Sequence, residues 1–83
     1  MRSLVLYETS HCHLCEQAEQ VLIPFVNSAE CQIELVDIVS DDTLMQAHGT
    51  EIPVLKDHHS GRLLKWPFDE CDVRSFLSAC QAQ

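Results

Sequence analysis

The residues of this chain best suited to chemistry lie together in Tyr7-Glu8-Thr9-Ser10-His11-Cys12-His13-Leu14-Cys15. Cys12 and Cys15 follow the apolar run Leu4-Val5-Leu6 and precede a segment with helical periodicity. They therefore fall where a strand gives way to a helix. The C-x-x-C spacing places both sulfurs at the first turn of that helix, near enough to bridge with little backbone movement. A helix start leaves unpaired N–H groups and a partial positive charge, and both favour a thiolate over a thiol. A thiolate attacks disulfides, and a second thiol one turn away can release the mixed disulfide that results. In an intracellular chain, C-x-x-C beside a βαβ pattern reads as a redox pair. His11 and His13 flank Cys12 and, protonated, would support its thiolate; Glu8 and Glu16 oppose them.

The same residues allow a second chemistry. His11, Cys12, His13 and Cys15 carry nitrogen and sulfur donors suited to zinc or copper. A closed zinc site takes four ligands, however, and adjacent side chains at a helix start tend to point apart. No second C-x-x-C follows. The expectation is no metal, with a metal-binding or metal-delivery module as the alternative and a non-catalytic binding domain as a third reading. Cys80 is expected as a core thiol on the last helix, and Cys31 and Cys71 as unreactive packing residues, with a regulatory thiol as the alternative for either. His58 and His59 fall in a turn and should be solvated, whereas His48 should lie against the end of a short helix.

Positioning the dithiol requires the elements around it. Residues 3–8 read as a strand with Leu4 and Leu6 on one face and Val5 and Tyr7 on the other, so it should be central. Leu14, Ala18, Val21, Leu22 and Phe25 recur at helical spacing and predict one core-facing stripe, with Pro24 kinking or ending the helix. Residues 31–38 predict a second strand with Ile33 and Leu35 buried and Gln32 and Glu34 wet, nearer a sheet edge. The crossover between these strands must be right-handed and the strands parallel. Ser40 is expected to cap a short helix over residues 41–48 that Gly49 stops. Residues 52–56 and 62–66 predict a hairpin, and Pro67 ends it. Asp69 then caps a last helix with Val73, Phe76, Leu77 and Cys80 inward. The order is β-α-β-α-β-β-α.

Composition narrows the function classes. A chain of 83 residues with 46% hydrophobic residues is one domain, 1–83, with one small core and no sign of disorder. A formal charge of −8 argues against nucleic acid or an anionic membrane as partner. No apolar run approaches the length of a membrane span. Met1-Arg2-Ser3-Leu4 moves directly into strand-like sequence without the apolar stretch of a secretory signal, so a cytoplasmic location is the expectation. Five cysteines fit poorly with a fully paired secreted framework and better with free thiols around one working pair.

Taken in order, Tyr7, Cys12-His13-Leu14-Cys15, Val36-Asp37-Ile38, Ile52-Pro53-Val54 and Trp66-Pro67-Phe68 resemble the glutaredoxin-like branch of the thioredoxin-fold superfamily over essentially the whole chain. The resemblance implies an α/β thioredoxin-like fold, a four-stranded mixed sheet flanked by three helices. It implies that Cys12 is the exposed nucleophile and Cys15 the more buried resolving cysteine. It also implies a cis proline at Pro53 beside the disulfide and an Ile52 backbone edge that pairs with an extended substrate. His11, His13, Trp66 and Phe68 are the further candidate substrate contacts, with packing against the last helix an equal account of Trp66 and Phe68. The activity implied is thiol–disulfide oxidoreduction by a monomer, acting on disulfides of proteins or small thiols, with a reductase or glutathione as electron donor.

Two departures bear on glutathione. Thr9 stands where glutaredoxins carry a lysine, and Trp66-Pro67-Phe68-Asp69-Glu70 stands where they carry Gly-Gly and an acidic pair. Both family elements hold glutathione carboxylates. The expectation is therefore no tightly bound cofactor, with glutathione at most an external reductant.

Overall fold

The computed structural model describes residues 2–10 and 12–81, the last without its side chain; His11 and the role given to it above lie outside the described residues. The elements are β1 (Arg2–Glu8), α1 (His13–Asn27), β2 (Cys31–Asp37), α2 (Asp42–His48), β3 (Val54–Asp57), β4 (Leu63–Lys65) and α3 (Glu70–Gln81), in the order the sequence predicts. The four strands form one sheet in the order β2-β1-β3-β4. β1 is parallel to β2 and antiparallel to β3, which turns back into β4.

β1 is central because both of its faces are apolar. Leu4 and Leu6 enter the main core with Ala18, Leu22 and Phe25 of α1 and Val73, Phe76 and Leu77 of α3. Tyr7 joins a smaller core on the other face with Ile38 and Val54, against which Leu44 of α2 packs. α1 and α3 therefore cover one face of the sheet, and the shorter α2 covers part of the other. Each fully buried aliphatic or aromatic side chain contributes about 1.5–3 kcal/mol to this arrangement.

The helices depart from expectation at their details. Leu14 is 45% exposed, and Cys15 takes its place at the head of the buried stripe with Ala18, Leu22 and Phe25. Pro24 neither ends nor breaks α1, which runs on to Asn27. Pro24 and Gln20 are both exposed, so the carbonyl that loses its partner to the proline can bond water instead. α2 is capped by Asp41 rather than Ser40, its carboxylate accepting from the Leu44 N–H at 3.1 Å. Gly49 follows in a right-handed conformation, and a Cβ there would lie 2.5 Å from the Met45 carbonyl oxygen. α3 agrees with its pattern: Asp69 and Asp72 cap each other's N–H groups at 2.9 and 3.0 Å, and Val73, Phe76, Leu77 and Cys80 are buried.

Two features at the sheet margins went unforeseen. Leu35, expected to be buried, is instead 52% exposed: β2 is an edge strand, and on that face only its first residues, Cys31 and Ile33, reach the main core, while Val36 packs on the smaller core of the other face. Asp57, at the end of β3, is fully buried. It accepts two hydrogen bonds from Arg2, both at 3.0 Å, and bonds from the Ser60 hydroxyl and N–H at 2.6 and 2.9 Å. Burial pushes its carboxyl up, but Ser60 and then Arg2 more than offset this and hold it at about 2. Arg2 also bonds the Cys80 carbonyl, which ties β1, the hairpin and α3 together.

Of the other cysteines, Cys31 and Cys80 are buried, and burial raises both thiols. Cys71 is exposed, so the expectation that it packs is corrected; it lies on the outer side of the first turn of α3. Among the described residues no helix is long and apolar enough to cross a membrane.

Candidate active site

β1 delivers the chain to the site and α1 carries it away. Cys12 adopts extended backbone at the N-cap of α1, and its Sγ accepts from the Cys15 N–H at 3.2 Å. A cap normally uses an oxygen from Ser, Thr, Asp or Asn; here a sulfur takes that place, beside the positive end of the helix. Cys12 and Cys15 are joined as a disulfide, with their Cα atoms 5.2 Å apart. Their exposures differ in the way the chemistry needs. Cys12 is half-buried, whereas Cys15 is 2% exposed and heads the buried stripe of α1. An incoming disulfide can reach one sulfur and not the other.

The surrounding loop is held by its own polar contacts. The Ser10 hydroxyl donates to Asp37 at 3.2 Å, fastening the segment before Cys12 to the end of β2. Asp37 in turn accepts from the Val39 N–H at 2.9 Å. His13 is exposed, and its ring nitrogen lies 3.7 Å from a Glu16 carboxylate oxygen on the outer side of α1. Its contact in this structure is therefore with Glu16.

Glu8 is the last residue of β1 and carries a buried carboxylate oxygen that has no hydrogen-bond partner. Glu19 of α1 faces it, one helical turn beyond Cys15, and Asp37 is its neighbour across the β1–β2 ladder. Burial first, then the neighbouring carboxyl of Glu19, then the charge of Asp37, push the Glu8 carboxyl up to about 7. Neither glutamate was read this way from the sequence, because the pairing is tertiary.

Pro53 is buried, and the Ile52–Pro53 bond is cis, as the resemblance implies. The Ile52 N–H donates to the His48 carbonyl at 3.2 Å, so the N–H half of that edge is already taken within the fold. The Pro53 carbonyl accepts from the Trp66 N–H at 3.2 Å, which fixes the start of the Trp66-Pro67-Phe68 segment beside the proline loop. Trp66 and Phe68 meet edge to face, with ring centroids 5.0 Å apart. Phe68 is buried in the main core, and Trp66 keeps part of its surface exposed. His48 is found stacked on Tyr7 at 5.1 Å between centroids. His58 and His59 are exposed in their turn, as expected. Among the described residues no three His, Cys, Asp or Glu side chains come together to hold a metal ion.

The glutaredoxin-like domain (DUF836) matches residues 3–78 of the chain. The X-ray structure of target protein XcR50 from X. campestris is 39% identical, covering 92% of this chain and 96% of that one, with a TM-score of 0.79. The solution structure of the same target is also 39% identical, covers 95% of each chain, and superposes with a TM-score of 0.76. Protein Ne2328 from Nitrosomonas europaea shares the fold at 24% identity, covering 90% of this chain and 89% of that one, with a TM-score of 0.78. No curated protein matches.

Proposed function

The chain belongs to the glutaredoxin-like domain family, and from that premise we propose that it is a thiol–disulfide oxidoreductase whose Cys12–Cys15 pair reduces disulfides of proteins or small thiols. The observation that carries the reading is the pairing of one reachable sulfur at a helix cap with one buried sulfur in bonding contact.

The cycle balances as follows. A Cys12 thiolate attacks one sulfur of the substrate disulfide; a Cys12–substrate disulfide forms, and the other substrate sulfur leaves and takes up a proton. Cys15 gives up its proton, and its sulfur attacks Cys12 Sγ. The Cys12–Cys15 bond forms and the second substrate thiol leaves. Two electrons have passed to the substrate. An external dithiol reductase, or two molecules of a monothiol such as glutathione, returns them. The Ile52 carbonyl and the exposed part of Trp66 supply the surface on which the substrate backbone rests, on the loop that the buried cis Pro53 shapes. The proposed setting is the cytoplasm, where Cys31, Cys71 and Cys80 stay reduced.

Cys12→Ser should abolish exchange with a model disulfide, whereas Cys15→Ser should accumulate a mixed disulfide at Cys12. Exchange retained by the Cys12 variant would overturn the proposal.

A further inference from the structure

Away from the dithiol, exposed apolar side chains gather along one margin of the sheet. β2 is one of the two outer strands and, among the described residues, is paired only with β1. Ile33 and Leu35 stand opposite Leu4 and Leu6 in the ladder and so share the face covered by α1; Gln32 and Glu34 stand on the other face. Beside Leu35, at 52% exposure, α1 presents Ile23 and Val26 at 44% and 43%. Together they border a groove of about 210 Å³ with Glu19 at its rim.

A free strand edge beside branched aliphatic residues is a template for pairing, and proteins usually blunt it with lysine, proline or a covering element. β2, Cys-Gln-Ile-Glu-Leu-Val-Asp, has neither lysine nor proline. Its charges, Glu34 and Asp37, are acidic. At its start Arg74 is engaged by Glu30 at 3.7 Å.

We propose that the outer edge of β2 takes up, as an added strand, a segment of a partner protein in which apolar residues alternate with lysine or arginine. Successive side chains of an added strand point to opposite faces. One set would enter the groove against Ile23, Val26 and Leu35. The other set would stand beside Gln32 and Glu34, where a cation is favoured and an anion is not. A second copy of this chain fits the edge poorly: two chains of formal charge −8 would bring acidic edges together. The inference does not depend on the redox reading, since none of these residues belongs to the dithiol.

The test is fluorescence anisotropy of the full chain, with the dithiol oxidised, against labelled peptides the length of β2. One peptide alternates valine and lysine, a second carries the same residues in blocks, and a third alternates valine and glutamate. Binding of the first alone is expected. Leu35→Asp and, independently, Val26→Asp should weaken it by at least about tenfold, the loss typical of an interface anchor, without altering the circular dichroism. Glu34→Gln should weaken it less. Equal binding of the block peptide, or affinity unchanged in both aspartate variants, would overturn the proposal. A dimer that Leu35→Asp dissociates would also overturn it, by assigning the edge to a second copy.

Discussion

Replacing Glu8 by glutamine should make the protein more stable at neutral pH, although it removes a charged residue from beside the active-site loop. Glutamine keeps the size and hydrogen-bonding shape of a protonated glutamate and cannot ionise. In the folded chain burial, Glu19 and Asp37 raise the Glu8 carboxyl from 4.5 to about 7. Between those values the native state holds a proton that the unfolded chain has released. The Glu8 contribution to stability is therefore full at and below pH 4.5, falls as the pH rises through about 7, and is level above. The full interval corresponds to roughly 3.5 kcal/mol at about 1.4 kcal/mol per pH unit. Glu8 is partly exposed and solvent screens the effect, so we expect about 1–2 kcal/mol to be recovered by the variant. Urea unfolding of both proteins, oxidised, from pH 4.5 to about 8 reads this directly. The curves should coincide at the acid end and diverge toward neutrality. At the upper end the variant should melt roughly 5–15 °C higher, by the usual conversion for a domain of this size. Parallel pH profiles, or a variant less stable at neutral pH, would refute the reasoning.

Other perturbations test the framework around the site. Asp57→Ala leaves the Arg2 guanidinium half-buried without its carboxylate and should cost about 3–5 kcal/mol in urea unfolding. In the parent protein, the stability from Asp57 is present above its unfolded value of 3.8 and is lost as pH falls through about 2. This window lies below that of Glu8, and acid titration of the Asp57→Asn variant should show no such loss. Phe25→Ala should cost about 3–5 kcal/mol because the ring is buried in the main core, whereas Leu14→Ala should stay within about 1 kcal/mol because Leu14 faces solvent. Equal costs at the two positions would mean that the α1 face is misassigned.

What the sequence conveyed was local and periodic. Apolar residues on both faces of residues 3–8 marked a central strand, and the spacing of Val73, Phe76, Leu77 and Cys80 marked the inner face of α3. The dithiol was legible because C-x-x-C at a strand-to-helix junction carries its geometry with it. The stripe of α1 is less legible at its head, because Leu14 and Cys15 both fit the apolar spacing and the buried place goes to Cys15. Asp57 was hidden for a different reason. A charged residue ending an apolar strand reads as exposed, and its burial depends on Arg2, 55 positions away. Glu8 and Glu19 likewise belong to different elements whose approach no local pattern records. Leu35 alternates as a buried residue should, but alternation does not show how far along an edge strand the covering helix reaches.

The most direct measurement of the redox reading is a titration of the wild-type chain in thiol–disulfide buffers, quenched by alkylation and read by mass spectrometry. Cys12 and Cys15 should convert together in a single two-electron transition, with a midpoint in the range of roughly −200 to −270 mV that cellular dithiol reductants occupy. Cys31 and Cys80 should remain thiols throughout, because both are buried. Absence of a Cys12–Cys15 disulfide at every poise, or conversion of either cysteine without the other, would contradict the assignment of this pair as the working centre.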